Sequence, residues 1–141
     1  MAILNKFEER KLVAAIGAAE RLTSGEIRIH FEKHTDKDTY ERALEVFAQL
    51  EMHQTELRNG VLFYLAYEDH KFTILGDEGI HAKVGNDFWN TIKEDMQTAF
   101  RQGKFFEGLE SGVLEAGRAL QEFFPRMDDD VNELSDEISK S

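Results

Sequence analysis

Residues 58–79, RNGVLFYLAYEDHKFTILGDEG, decide the fold because they encode two strands in succession. Asn59-Gly60 is a turn dipeptide, and the apolar run VLFYLAY after it is rich in aromatic and branched residues and too short for an independent helix. The chain then turns, and Phe72 and Ile74 alternate with polar neighbours. The stretch therefore predicts a hairpin of a central strand and a partner strand with one solvated face.

Apolar residues on either side of this hairpin recur at helical spacing in four segments. Asn5 and Glu8 form a capping pair at the start of the first segment, and Pro125 stops the last. Residues 26–31 alternate with period two, which indicates a strand, and a short fourth strand is predicted near residues 80–83. The predicted helices span about residues 6–22, 43–53, 88–100 and 109–124. The sequence therefore predicts an α/β layered domain, a central sheet of about four strands flanked by about four helices.

Composition limits the classes of function. The 141 residues, 41% of them hydrophobic, are enough for one domain with its own core. The 28 acidic and 17 basic side chains give a net charge of -11, which repels phosphate backbones and anionic membrane surfaces. The chain has no cysteine, which excludes disulfides, thiolate nucleophiles and cysteine-based metal sites. We therefore expect no nucleic-acid partner.

The ends of the chain guide the expected location. The N-terminus lacks the apolar stretch of about 7–15 residues that a secretory signal needs, and no window reaches the roughly 18 apolar residues of a membrane span. We expect a cytoplasmic monomer without membrane insertion. Residues 126–141 form an acidic tail in which Val131, Leu134 and Ile138 have helical spacing, so the tail is either a short helix or a disordered end.

Five pieces of sequence occur in an order that resembles the TPM-domain family, an α/β module of thylakoid-lumen, photosystem II repair and bacterial proteins. They are TSGEIRI, NGVLFYLA, KFTILGDEGI, FRQGKFFEGL and a final helix. The likeness covers roughly residues 5–125, so residues 1–125 are predicted to be a TPM-like domain and residues 126–141 its tail. It implies a sheet flanked by helices, an acidic pocket that binds divalent cations such as calcium in some members, and the acid phosphatase activity of a plant member.

The chain departs from the family pattern in two places. The turn before the central strand usually is Asp-Asp-Gly in the family, whereas here it is Arg58-Asn59-Gly60, so one anionic ligand is replaced by a neutral side chain with a base beside it. Membrane-bound members carry a signal sequence and a hydrophobic tail helix, and this sequence shows neither. The resemblance therefore implies a soluble, stand-alone member with an altered pocket.

Carboxylates after the second hairpin strand form the predicted metal site. Asp77 and Glu78 lie between two glycines and offer hard oxygen ligands, which calcium and magnesium require. Glu26 at the start of the first strand, Asp87 before the third helix and the amide oxygen of Asn59 complete the predicted set. The alternative is that carboxylates in turns and in first helical turns are solvated or cap a helix.

Three functions of different classes follow from these features. The first is a divalent-cation-binding module, for Ca²⁺ or Mg²⁺, that stabilises loops or recruits a protein partner. The second is a metal-dependent acid phosphatase acting on phosphate monoesters, in which Arg28 and Arg58 would hold the phosphate. The third is a structural or assembly factor that acts through a helix face.

Overall fold

The computed structural model describes residues 4–85, 87–126 and 138–141. The helices it describes are α1 (Lys6–Glu20), α2 (Thr39–Gln49), α3 (Glu78–Val84), α4 (Asn90–Arg101) and α5 (Phe105–Gln121). The strands are β1 (Glu26–Glu32), β2 (Gly60–Ala66), β3 (Lys71–Gly76) and β4 (Ser139–Lys140), and a 3-10 turn over Tyr67–Asp69 joins β2 to β3. The predicted α/β layered architecture is confirmed.

One sheet holds these four strands in the order β3-β2-β1-β4. β2 and β3 pair antiparallel, so the predicted hairpin is confirmed, and Phe63 lies opposite Ile74. β1 pairs parallel with β2, and α2 provides the crossover between them. Every residue of β2 is buried, as its continuous apolar run requires for an interior strand covered on both faces.

The two faces of the sheet are covered unequally. Ile27, Ile29 and Phe31 of β1 belong to the larger core cluster, which also contains the apolar residues of α1, α4 and α5. The smaller cluster on the other face joins α2 to Leu62, Tyr64 and Leu75. Alternation along β1 therefore places its polar residues, among them Glu26, Arg28, His30 and Glu32, on the face that carries α2.

Small residues allow α5 to approach its neighbours closely. A Cβ added at Gly112 would lie 2.7 Å from the sulfur of Met96 on α4, and one added at Gly117 would lie 2.7 Å from the Cβ of Ala19 on α1. Glycine at these two positions therefore lets α5 lie against α4 at one point and against α1 at the other.

Several predicted boundaries need correction. The short strand predicted near residues 80–83 is wrong, because these residues lie in α3, whose N-cap is Asp77. The fourth strand is instead Ser139–Lys140, which pairs parallel with β1 at His30 and Phe31. The first helix ends at Glu20, slightly before the predicted end at about residue 22. Its predicted capping box between Asn5 and Glu8 is confirmed.

The acidic tail lies mostly outside the described residues. Residues 127–137, including Val131 and Leu134, are not described, so the choice between a helix and a disordered end stays open there, as does the predicted domain boundary at residue 125. Ile138 packs against the larger core cluster. Within the part of the chain that the structure describes, no helix combines the length and apolar character needed to cross a membrane.

Candidate functional site

The turn between β3 and α3 presents the central pair of predicted ligands. Asp77 follows the last residue of β3 with extended backbone dihedrals, and its Oδ1 accepts a hydrogen bond of 2.8 Å from the backbone N–H of Glu78. The turn lies directly against the loop before β2, since a Cβ at Gly79 would be 2.3 Å from the carbonyl oxygen of Leu57. Only glycine fits there, so this contact fixes the position of α3 relative to the preceding loop.

Arg58 bridges the two adjacent carboxylates. Its Nε and Nη2 donate to Oδ2 and Oδ1 of Asp77 at 2.7 and 2.9 Å, and its Nη1 donates to Oε1 of Glu78 at 2.9 Å. The hydrogen bonds to Asp77 raise the pKa of the guanidinium. The Asp77 side chain is 6% exposed, whereas those of Arg58 and Glu78 are 39% and 72% exposed. Three carboxylate oxygens thus converge on one cationic group at the surface.

Asn59 and Glu26 tie β1 to β2 at the same end of the sheet. The Nδ2 of Asn59 donates to the hydroxyl of Ser24 at 3.3 Å, and its backbone N–H donates to the hydroxyl of Thr55 at 3.3 Å. The carbonyl oxygen of Asn59 accepts from the backbone N–H of Glu26 at 3.3 Å. Both residues are buried, at 2% and 4% exposure. Their observed contacts hold the two strand starts together.

Asp87 lies in the turn before α4. We expected it to open this helix, but the helix begins at Asn90 with Trp89 as its N-cap. The carboxylate of Asp87 is exposed and accepts from Nδ2 of Asn90 at 3.4 Å. Asp87 therefore organises the turn through Asn90.

The residues of the predicted ligand set do not all lie together. Among residues 4–85, 87–126 and 138–141, no group of three or more His, Asp or Glu side chains is arranged to hold a metal ion. The predicted site thus divides into the pair formed by Asp77 and Glu78, which meet at Arg58, and three residues whose described contacts are with other groups. The guanidinium stands where a cation bound to that pair would be.

Arg28, the second predicted phosphate ligand, lies on β1 between Glu26 and His30 on one face of the strand. Its Nε is buried and has no hydrogen-bond partner among the described residues. Within that part of the chain, no hydrogen bond or ion pair links Arg28 to Arg58 or to its two carboxylates.

A second ionic cluster, which the sequence did not predict, lies at the other end of β1. The Nε and Nη2 of Arg42 donate to the two carboxylate oxygens of Glu32, each at 2.9 Å, and the buried hydroxyl of Tyr64 donates to the same carboxylate. Burial alone would raise the pKa of Glu32, but the hydrogen bonds from Arg42 and Tyr64 outweigh it and lower this pKa. Glu32 lies on β1 and Arg42 lies ten residues later on α2. No local sequence pattern predicts an ion pair between a strand and a helix at this spacing.

Two histidines form side-chain contacts near the same end of β1. His30, 3% exposed, is within 2.9 Å of the Ser139 hydroxyl through Nδ1 and within 2.6 Å of the Ser141 hydroxyl through Nε2. Burial lowers the pKa of His30 to about 4. His34 instead contacts Asp69 and Asp36 at 2.6 and 2.7 Å, and the hydrogen bond to Asp69 is the main cause that raises its pKa.

Comparison with known proteins identifies relatives of the whole domain. The family model described as TPM domain matches residues 1–119. The NMR structure of the BA42 protein from the psychrophilic bacterium Bizionia argentinensis is 48% identical, covers 98% of this chain and 95% of its own, and superimposes with a TM-score of 0.93. The solution structure of the N-terminal domain of a P. gingivalis protein is 20% identical over 86% of this chain and 79% of its own, with a TM-score of 0.71, and shares the fold. The chain matches none of the curated proteins with which it was compared.

Proposed function

Since this chain belongs to the TPM-domain family, we propose that it is a divalent-cation-binding module in which Asp77 and Glu78 take the ion in exchange for the Arg58 guanidinium. The observation that carries this proposal is the convergence of three carboxylate oxygens on one cationic group, at 2.7 to 2.9 Å. A pair of carboxylates that already binds a cation of the chain offers the same oxygens to a metal ion.

The exchange is physically accessible because Arg58 is 39% exposed. Its guanidinium can rotate into water, where it is well solvated, while the nearly buried Asp77 remains fixed by its cap contact to α3. The net charge of -11 raises the local concentration of cations around the domain. The exposure of Arg58 therefore favours its exchange for a divalent cation over a permanent ion pair with Asp77 and Glu78.

The donor set favours Ca²⁺ over Mg²⁺. Calcium accepts bidentate carboxylates and irregular geometry, whereas magnesium demands a near-ideal octahedron. Two carboxylates are few for a calcium site and Arg58 competes for them, so we expect a dissociation constant near the weak end of protein sites, about 10⁻⁴–10⁻³ M. Glu26, Asn59 and Asp87 join the ion only if their present contacts rearrange, and their role as ligands stays a prediction.

The proposed role of such a module is to stabilise loops or to assemble with a protein partner. Replacing the guanidinium by an ion frees the Arg58 side chain from Asp77 and Glu78, while the backbone N–H of Gly79 still donates to the carbonyl oxygen of Arg58 at 2.9 Å and keeps the loop against α3. A change of this kind alters the surface that a partner would contact. No specific observation favours the phosphatase alternative, since the charge of Arg58 is already balanced by Asp77 and Glu78, and that activity stays a prediction of the family resemblance.

The decisive experiment is a titration with CaCl₂ and MgCl₂ followed by amide NMR. In the native chain we expect shifts at residues 58 and 77–79. Arg58→Ala removes the competing cation and should bind Ca²⁺ more tightly, whereas Asp77→Asn combined with Glu78→Gln should abolish the response. Arg118→Ala, on the exposed surface of α5, is the matched control for the loss of one positive charge.

The opposite results would overturn the proposal. If Arg58→Ala binds Ca²⁺ no better than Arg118→Ala does, Arg58 is not a competitor for the ion. Shifts that persist in the Asp77→Asn, Glu78→Gln double variant would place any cation elsewhere.

A further inference from the structure

An apolar cavity opens at the start of β3, at the opposite end of this strand from Asp77. Its volume is about 320 Å³, and it is lined by Leu65, Tyr67, Phe72, Phe100 and Phe105, together with the exposed His70 and Lys71. Ligand pockets range over about 300–1,000 Å³ and are mainly apolar with a few placed polar groups. This cavity has that character and the size of a single small ligand.

The aromatic walls are held by contacts with one another and with the core. Phe100 packs edge-on against Phe72 at a centroid distance of 5.2 Å and against Phe105 at 5.0 Å. Phe105 in turn packs at 6.0 Å against Phe31, a fully buried residue of β1. Ring pairs at these distances are mutually attractive, so the cavity exists before any ligand enters.

Cationic side chains stand beside this apolar cavity. An adjoining cavity of about 430 Å³ shares His70, Lys71, Phe72 and Phe100 with it and adds Thr39, Gln97 and Arg101. Lys71 and Arg101 form no ion pair with any described residue, although Lys71 is near enough to Asp69 to contribute to the lowered pKa of that carboxyl. In a chain of net charge -11, two cations that form no ion pair within the described residues and stand next to an aromatic cavity favour a ligand that carries a negative charge.

The backbone of Phe72 adds a donor. The hydrogen bond from the N–H of Asp77 to the carbonyl oxygen of Gly60 fixes the alternation of the antiparallel ladder, so the N–H of Phe72 points away from β2. β3 is an edge strand of the described sheet, and outside the ladder no backbone hydrogen bond involves Phe72 within the described residues. This N–H therefore faces the open edge of the described sheet, and Phe72 itself lines the adjoining cavity.

We infer that these joined cavities bind a small monocarboxylate with an apolar body. The apolar body occupies the aromatic cavity, and Lys71, Arg101 and the N–H of Phe72 hold the carboxylate. A free small molecule fits better than an added peptide strand, because Ile74 is 4% exposed and Gly76 is buried, which leaves only the first residues of β3 accessible. Six residues of strand separate this site from Asp77, about 20 Å, so it is independent of the proposed cation site.

The test is an NMR titration of the full chain with 4-phenylbutyrate, without added divalent cation. We expect saturable shifts at residues 65, 70–72 and 100–105, and weaker binding of the neutral isostere 4-phenylbutanamide, by up to about fivefold for each exposed ion pair lost. The double variant Lys71→Gln, Arg101→Gln should reduce the affinity for the carboxylate to that for the amide. The double variant Arg21→Gln, Arg118→Gln makes the same charge change at exposed positions elsewhere and should bind normally.

Three results would overturn the inference. Equal affinity for 4-phenylbutyrate and 4-phenylbutanamide would show that Lys71 and Arg101 do not bind the carboxylate. Shifts outside the residues named would place the ligand elsewhere. Preferential binding of a Phe-containing peptide with both ends blocked would identify a peptide groove instead of a carboxylate site.

Discussion

Replacing Glu32 by alanine should destabilise the domain by about 3 kcal/mol, because this carboxylate is the acceptor that Arg42 and Tyr64 share. Its side chain is 9% exposed and that of Arg42 is 19% exposed, so the pair is largely removed from water. Removing one partner of a buried ion pair typically costs about 3–5 kcal/mol, since the remaining charge is left uncompensated. The lower end applies because Arg42 keeps a second contact of 3.1 Å to Glu45.

The same geometry ranks the neighbouring substitutions. Tyr64→Phe removes one hydrogen bond to the ionised Glu32 carboxylate and should cost about 2 kcal/mol, less than the loss of the carboxylate itself. Arg42→Ala should cost at least as much as Glu32→Ala, because the better-buried carboxylate would keep the Tyr64 hydroxyl as its one hydrogen-bond donor among the described side chains. In the Glu32→Ala, Arg42→Ala double variant, the two losses should be less than additive, since both remove the same interaction.

Urea unfolding at pH 7, followed by the fluorescence of Trp89, provides the assay. Trp89 is the single tryptophan of the chain and is 5% exposed, so its emission reports loss of the core. A loss of about 3 kcal/mol corresponds to a fall in Tm of about 10 °C for a domain of this size. A loss below 1 kcal/mol for Glu32→Ala, or a larger one for Tyr64→Phe, would refute the assignment of Glu32 as the shared acceptor.

Acidification gives an independent check on Glu32. Its pKa is lowered in the folded state, so its contribution to stability is present above the unfolded value of about 4.3 and is lost as the pH falls through the folded value. The stability difference between the native chain and Glu32→Gln should therefore be constant from pH 6 to 8 and shrink below about pH 4. A difference that instead grows on acidification would contradict this account.

Three further predictions concern other contacts. His34→Gln should destabilise the domain at pH 6 and hardly at pH 9. The pKa of His34 is raised in the folded state, so its contribution to stability is complete below the unfolded pKa of about 6.5 and is lost as the pH rises through the folded pKa. Equal losses of stability at both pH values in urea unfolding would argue against this account. Gly117→Ala should lower Tm more than Gly112→Ala, because the new Cβ meets the backbone of α1 at 2.8 Å in the first case and a flexible methionine side chain in the second; the reverse order would show that α1 yields. Gly79→Ala should cost about 1–3 kcal/mol of stability and shift the Arg58 side-chain resonances, since its Cβ would lie 2.6 Å from the Arg58 carbonyl oxygen. Unchanged resonances would mean that the loop moves without breaking the ion pairs.

Much of the fold was predictable because its causes are local. The apolar run of β2 and the alternation after it predicted the hairpin, and the Asn5 capping box predicted the start of α1. The fourth strand was misplaced because residues 80–83 form too short a segment for periodicity to separate helix from strand. The cap at Asp77 made that segment a helix, whereas the sequence pattern predicts a metal ligand at this carboxylate.

The candidate site was predictable only in part. The sequence placed Asp77 and Glu78 together, since adjacent residues in one turn must lie close. It did not reveal that Arg58, 19 residues earlier, would bind both of them. That pairing depends on β2 and β3 running antiparallel, which brings the loop before one strand to the end of the other.

The sequence by itself determined the α/β class, the hairpin and the acidic turn, because each follows from periodicity or turn chemistry within a few residues. Only the tertiary structure decided which charges meet, including Arg58 with Asp77, Arg42 with Glu32 and His34 with Asp69. Strand order and helix docking set these distances, and no local pattern encodes them. Electrostatic interactions depend steeply on such distances and on burial, so the chemistry of this domain became visible only after the chain was folded.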